Sequence, residues 1–260
     1  MATAIKAIPT LKGKEAREFL HRAEEAERNY KGTENRDNHS FCQMAHVILS
    51  KAGMLYSLGL EMAFITDNCT FYELTDDILA ACQPFVCGND DLDDFFCNDA
   101  TRYAHYLMGK SYCFRLNNDP TKIVCALTIS NDSIRIYDLP RSRRDYMKSL
   151  THHEKPLRRY PGVLIGRLGV NSEFAGKGIG SETLDFIKGW FFSSTNKTGC
   201  RFVIVDAVNK PEVIAFYVKN GFHSLFSTEE QEFLYTGGKK GQLVELTTRL
   251  MYFDLLELRR

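Results

Sequence analysis

No stretch of this 260-residue chain is apolar for long enough to cross a bilayer, and the opening residues MATAIKAIPT hold no apolar signal core. Nothing in the sequence points to export or anchoring, so the expectation is a cytoplasmic protein with no membrane partner. The eight cysteines include no C-x-x-C pair, and no His/Cys cluster has the spacing of zinc ligands. Several sit inside apolar runs, as Cys113 and Cys125 do, and are read as reduced, mostly buried thiols; no metal is expected. Net charge is also lacking, with 33 basic residues against 33 acidic ones. The whole-chain balance therefore selects no polyanionic partner, although binding responds to where charges lie as well as to their sum. There is no internal repeat and no low-complexity segment.

What is present is a composition of ordinary globular type, 44% hydrophobic and 25% charged, long enough to bury a sizeable core without covalent staples. The pattern divides the chain into a helical N-terminal extension, residues 1–60, and a main domain, residues 61–260. In the extension, Ala16, Phe19, Leu20 and Ala23 share one helical face, and Phe41, Met44, Ala45, Ile48, Leu49 and Ala52 repeat that spacing before Gly53. Two short amphipathic helices cannot form a core alone, so they are expected to dock on the rest of this chain or on a partner.

The main domain reads as mixed α+β. Residues 70–74 form a strand, and residues 84–108 a loop followed by a helix with Leu92, Phe95, Phe96 and Ala100 on one face. SYCFRL and KIVCALTIS make a hairpin across NNDP. Residues 141–160 are polar and basic. A strand at 163–170 runs into AGKGIG, which opens a helix reaching about Phe192 with Ile179, Leu184, Ile187 and Phe191 inward. RFVIVDAV is a strand buried on both faces, Pro211 starts a helix that stops at Gly221, and LVELTTRLMYFDL is the last strand.

The chemistry concentrates where the strand 163–170 meets that helix. Gly176, Gly178 and Gly180 leave room for a ligand to approach the backbone, and the unpaired N–H groups of a helix start, aided by its dipole, favour anionic oxygens. A tight strand-to-helix turn without a ligand would be spelled the same way. The spacing G-x-G-x-G differs from G-x-x-x-x-G-K-S/T and from the dinucleotide fingerprint G-x-G-x-x-G, which also sits early in a βαβ unit.

LGVNSEFAGKGIG resembles motif A of the GCN5-related N-acetyltransferases, with Ala175 in place of the family's Gln or Arg, and VDAVNKPEVIAFYVKNGF resembles their motif B. FVCGNDDLDDFFCNDA and LRRYPGVLIGRLGV are similar to segments of a subgroup that acts as toxins in bacterial toxin–antitoxin pairs. The resemblance spans residues from about 70 to 253. It implies the acetyltransferase fold: a central mixed, mostly antiparallel sheet flanked by helices, with the fourth strand splayed from the fifth. It also implies acetyl-coenzyme A as co-substrate. Leu168, Gly169 and Val170 would hold the pantetheine arm, Gly176, Lys177, Gly178, Ile179, Gly180 and Ser181 the pyrophosphate. Asn209 matches the family's asparagine before the motif B helix, and Tyr217 its general acid toward the departing thiolate.

No general base stands out; Glu173 and Asp206 are carboxylates near the motifs. The acceptor is a primary amine. The subgroup resemblance implies the α-amino group of aminoacyl-tRNA, with Arg141, Arg143, Arg144, Arg158 and Arg159 lining a polyanion groove, while a solvated basic loop fits those residues equally. A protein or small-molecule amine is the alternative acceptor, and a catalytically silent module that binds coenzyme A or a partner is the alternative from another class. His152 and His153 read as surface loop. Residues 1–53 weakly resemble antitoxin-like proteins encoded beside such enzymes. They would restrain activity within the chain or engage a partner; a stabilising extension or a homodimer contact is the other reading.

Overall fold

A computed structural model describes residues 64–150, 157–193, 196 and 198–259; the expected N-terminal helices and the His152–His153 pair lie outside the described residues. All of these residues belong to the unit Asn38–Arg260. The elements in chain order are α1 (Phe64–Asn68), β1 (Cys69–Glu73), α2 (Asp76–Ala81), α3 (Asp90–Asp94), a wide π turn (Phe95–Asp99), α4 (Ala100–His105), β2 (Lys110–Leu116), β3 (Ile123–Arg135), α5 (Arg141–Leu150), β4 (Arg159–Val170), α6 (Ile179–Phe192), β5 (Phe202–Val208), α7 (Pro211–Lys219), β6 (His223–Ser224), α8 (Glu229–Tyr235) and β7 (Thr248–Asp254).

The strands make a seven-stranded sheet in the order β1-β2-β3-β4-β5-β7-β6. Each neighbouring pair is antiparallel except β4 with β5, which runs parallel through the crossover helix α6. This is the expected mixed, mostly antiparallel sheet. Strand periodicity sends alternate side chains to opposite faces, and the two faces are covered differently. On one face Val163, Ile165, Val203, Val205 and Met251 pack with Ile179, Leu184 and Ile187 of α6. On the other, Ile134, Phe202, Ile204 and Tyr252 pack with Met147 of α5, while Phe85, Phe95 and Phe96 cover the β2–β3 end.

Four readings of local structure change. The helix expected to run unbroken to residue 108 is interrupted. Ala100 N–H bonds to Phe95 C=O, five residues back, and this wide turn brings the adjacent Phe95 and Phe96 both inward. The basic segment begins as a regular helix, α5, because Met147 and half-buried Leu150 supply an inward side and burial of Met147 fixes it to the second face. The last strand starts only at Thr248, and Phe191 is half-buried rather than fully inward.

Candidate active site

The site forms where β4 leaves β5. The two strands pair only from Gly162 to Ile165 against Phe202 to Val205. Just beyond, Thr128 of β3 faces Arg167 while Ile129 faces Ile165, so Gly166 has no partner in the register. Such a bulge bends its strand and increases the local twist, which turns the rest of β4 away from β5 and opens a fork. Within the fork the backbone of β4 is directional. Asn171 N–H bonds to Val124 C=O, so by the antiparallel alternation Gly169 and Arg167 also spend their groups on β3. Leu168 and Val170 are left with their N–H and C=O directed into the opening.

The segment before α3 braces this arm of the fork. Gly88 takes φ +83°, Asn89 caps α3 by accepting from Leu92 N–H, and Asp93 accepts from Cys87 N–H at 2.7 Å. Ser172 N–H bonds to Val86 C=O, and a side chain at Gly169 would press on the Phe85 ring at 3.1 Å. The Arg167 guanidinium lies 3.8 Å over the Phe95 ring. The segment that resembled a toxin-subgroup signature thus builds a capped turn that fixes the backbone of β4.

At the end of β4, Asn171 caps a short turn and the chain enters α6 through the glycines. Gly176 and Gly178 have φ of +74° and +81°, a region costly for other residues, and Gly178 is the residue that starts the helix. Gly180 is needed for contact, since a Cβ there would stand 3.1 Å from the Phe216 ring. Among the described residues, the N–H groups of Gly176, Lys177, Gly178, Ile179 and Gly180 have no hydrogen-bond acceptor; Ser181 is the first to find one, Gly178 C=O at 2.9 Å. Side chains at Gly176 and Gly178 would meet nothing within 4 Å, so the space beside these two residues is open. A pyrophosphate fits such a row by charge and by size. Glu182 ties the start of α6 to α1 by accepting from Ile65 N–H at 2.8 Å.

Tyr217 comes from α7, which Pro211 begins and Gly221 (φ +79°) ends. Its ring packs edge-on against Phe216 and Phe222, and burial pushes the phenol up to about 12, so the hydroxyl keeps its proton. Phe216 also lies against Gly180, so the turn of α7 that carries Tyr217 packs on the start of α6. Asn209, at the end of β5, gives its amide hydrogens to Glu229 and to Leu246 C=O, so it ties the β5–α7 connection to α8 and the chain before β7.

The five arginines come from two parts of the chain. Arg141 and Arg143 and Arg144 lie on α5, where Arg141 is exposed and Arg144 bonds back to Leu139 C=O. Arg158 and Arg159 are exposed at the start of β4, and Arg159 reaches Ser133. Glu173 is an exposed partner of Lys122 at 2.6 Å. What sequence reading did not find is the bulge at Gly166 and a cavity on the second face, lined by Asp132, Arg135, Arg159, Tyr235 and Leu250. Only the unusual glycine inside an apolar strand signalled the first; the second joins residues more than a hundred positions apart.

No family model matches the chain. It is 29% identical over 139 residues to a tRNA-acetylating toxin of Mycobacterium tuberculosis, covering 53% of this chain and 75% of that protein. Among solved structures, AtaT complexed with acetyl-methionyl-tRNAfMet matches with a TM-score of 0.55 at 19% identity, over 74% of this chain and 98% of AtaT. AtaTR bound with acetyl-coenzyme A matches with a TM-score of 0.54 at 20% identity, over 74% and 97%. The bulged fork, the glycine-opened helix and these likenesses agree: the chain has the fold of the GCN5-related N-acetyltransferases, and it resembles their toxin-type members.

Proposed function

We propose that this protein transfers the acetyl group of acetyl-coenzyme A to a primary amine, and that the amine is the α-amino group of an aminoacyl-tRNA. The observation that carries the first part is the combination of three features: the outward backbone of Leu168 and Val170, the unpaired N–H row from Gly176 to Gly180, and the half-buried, hydroxyl-bearing ring of Tyr217. The second part is supported by relatives whose names tie them to acetylated tRNA.

The residues divide the work. Acetyl-coenzyme A supplies an activated acetyl group with a thiolate as leaving group. The N–H row and the positive end of α6 hold its pyrophosphate. The groups of Leu168 and Val170 pair with the amide-bearing arm as an added strand would, and an N–H there stabilises charge growing on the thioester oxygen. Tyr217 delivers a proton to the departing sulfur. Its own high proton affinity does not prevent this, because the same desolvation raises the basicity of a thiolate formed there. Arg141, Arg158 and Arg159, exposed on the second face or its edge, would meet the phosphates of the acceptor. Such an acceptor places the reaction in the cytoplasm.

The experiment is transfer of label from acetyl-coenzyme A to a pool of charged tRNA, with protein and polyamine acceptors in parallel. Label on aminoacyl-tRNA supports the proposal. Label confined to protein or polyamine leaves an N-acetyltransferase with a different acceptor, and binding of coenzyme A without any transfer leaves a silent module.

A further inference from the structure

The fork has a second side. Along β5, Val203, Val205 and Ala207 face α6, whereas Phe202 and Ile204 face the opposite layer. Asp206 is the next residue on that opposite face, and it stands at the first position beyond the last β4–β5 pair, Ile165 with Val205. Across the sheet it pairs with Leu250 of β7. Ile204 and Leu250 both line the cavity of about 360 Å³ on this face, and Asp132 of β3 lines it too. An exposed carboxylate therefore stands next to two residues that line the cavity, at the point where the strands part, across the sheet from the face that carries α6.

We propose that this cavity receives the amine-bearing end of the acceptor and that Asp206 is the base that takes the amine's proton. The inference rests on the acetyl-transfer reading above. The charged and titratable groups around Asp206 are Asp132 and Arg135 from β3, Arg159 from β4, Glu229, Glu232 and Tyr235 from α8, and Arg249 from β7. Most are already committed. Arg249 pairs with Glu232 at 2.8 Å and Glu229 at 3.4 Å, and Arg135 is stacked on the Tyr235 ring at 4.4 Å and bonded to Tyr235 C=O. No cation among them is paired with Asp206. Desolvation raises its carboxyl, and the charges of Asp132 and Glu232 raise it further. A base tuned upward in this way is better matched to an ammonium group near neutral pH.

The step balances. The ammonium gives one proton to Asp206, and the neutral nitrogen forms a bond to the acetyl carbon. The C–S bond breaks, sulfur takes the proton of Tyr217, and the nitrogen gives up its second proton to solvent as the amide forms. Asp206 then returns its proton to water, and the tyrosinate is reprotonated from solvent. Asp132 is a positioning residue, since it acts through the charge it places near Asp206.

The test is the pH dependence of kcat/KM for the wild type, Asp206→Asn and Asp132→Asn on charged tRNA, with acetyl-coenzyme A affinity measured by calorimetry on each. Asp206→Asn is expected to lose roughly 100-fold in kcat/KM, while acetyl-coenzyme A affinity stays within about twofold. Activity of the wild type rises as the Asp206 carboxyl ionises, so Asp132→Asn, which removes a charge that raises it, is expected to move the acid limb to lower pH. A wild-type pH profile in Asp206→Asn overturns the assignment, and so does loss of acetyl-coenzyme A binding in that variant, which would make the residue structural. If the wild type labels another amine and not charged tRNA, the proposed acceptor fails alone, and the same profiles on that amine decide the role of Asp206.

Discussion

At Tyr217 the burial that makes the ring a packing element also keeps its proton in place. The ring is held edge-on by Phe216 and Phe222, and the phenol is pushed up to about 12. Tyr217→Phe should therefore leave packing and acetyl-coenzyme A affinity unchanged while lowering kcat by about 100-fold or more, as loss of a positioned acid does. Parallel calorimetry and steady-state rates check this; a rate near wild type would remove the assigned role. Sequence reading proposes this residue through the F-Y-x-x-x-G-F spacing. Asn209 is proposed in the same way, and its amide hydrogens go to Glu229 and Leu246 C=O, contacts far along the chain that no local pattern encodes.

Elements make the site by failing to continue. β4 and β5 begin as a regular parallel pair, and one unpartnered residue, Gly166, separates them. Deleting Gly166 should restore the register between β3 and β4, straighten β4 along β5 and raise the KM for acetyl-coenzyme A at least tenfold, with the near-ultraviolet circular dichroism of the core retained. An unchanged KM would show that the bulge does not hold the fork open. The segments of strand and helix were mostly readable, because the short apolar run in residues 163–170 and the proline-to-glycine interval of α7 are local signals. The π turn at Phe95–Asp99 was not, since Leu92, Phe95, Phe96 and Ala100 share one face of an unbroken helix equally well, and the widening shows only with the packing on Phe85 and Arg167.

Across the molecule, a charged network joins the two sides of the site. Arg249 of β7 bridges Glu229 and Glu232 of α8, Glu232 also accepts Leu250 N–H, and Glu229 accepts the Asn209 amide. Glu232 is only 3% exposed, so Arg249→Met strands a buried charge. We expect a loss of about 3–5 kcal/mol by denaturant unfolding, and a variant within about 0.5 kcal/mol of wild type would show that the pair adds little. Residues 1–60 are proposed to be an extension of the catalytic domain that restrains it. Deleting residues 1–53 should then raise the transfer rate in a folded, soluble protein, and an unchanged rate would favour a stabilising role. The order of elements and the broad fold could be read from the chain because each acetyltransferase segment occurs in sequence order. The acceptor cavity could not, because Asp132, Arg159, Tyr235 and Leu250 meet only once the sheet has formed.

The claim that supports the rest is that the fork and the glycine-opened helix bind acetyl-coenzyme A, and calorimetric titration of the wild type and Gly180→Leu tests it most directly. In the wild type the account predicts saturable binding at one site per chain. In Gly180→Leu it predicts at least a tenfold weaker site, because a side chain there meets the Phe216 ring beside the N–H row. Equal affinity in the two proteins, or no binding by the wild type, would contradict it.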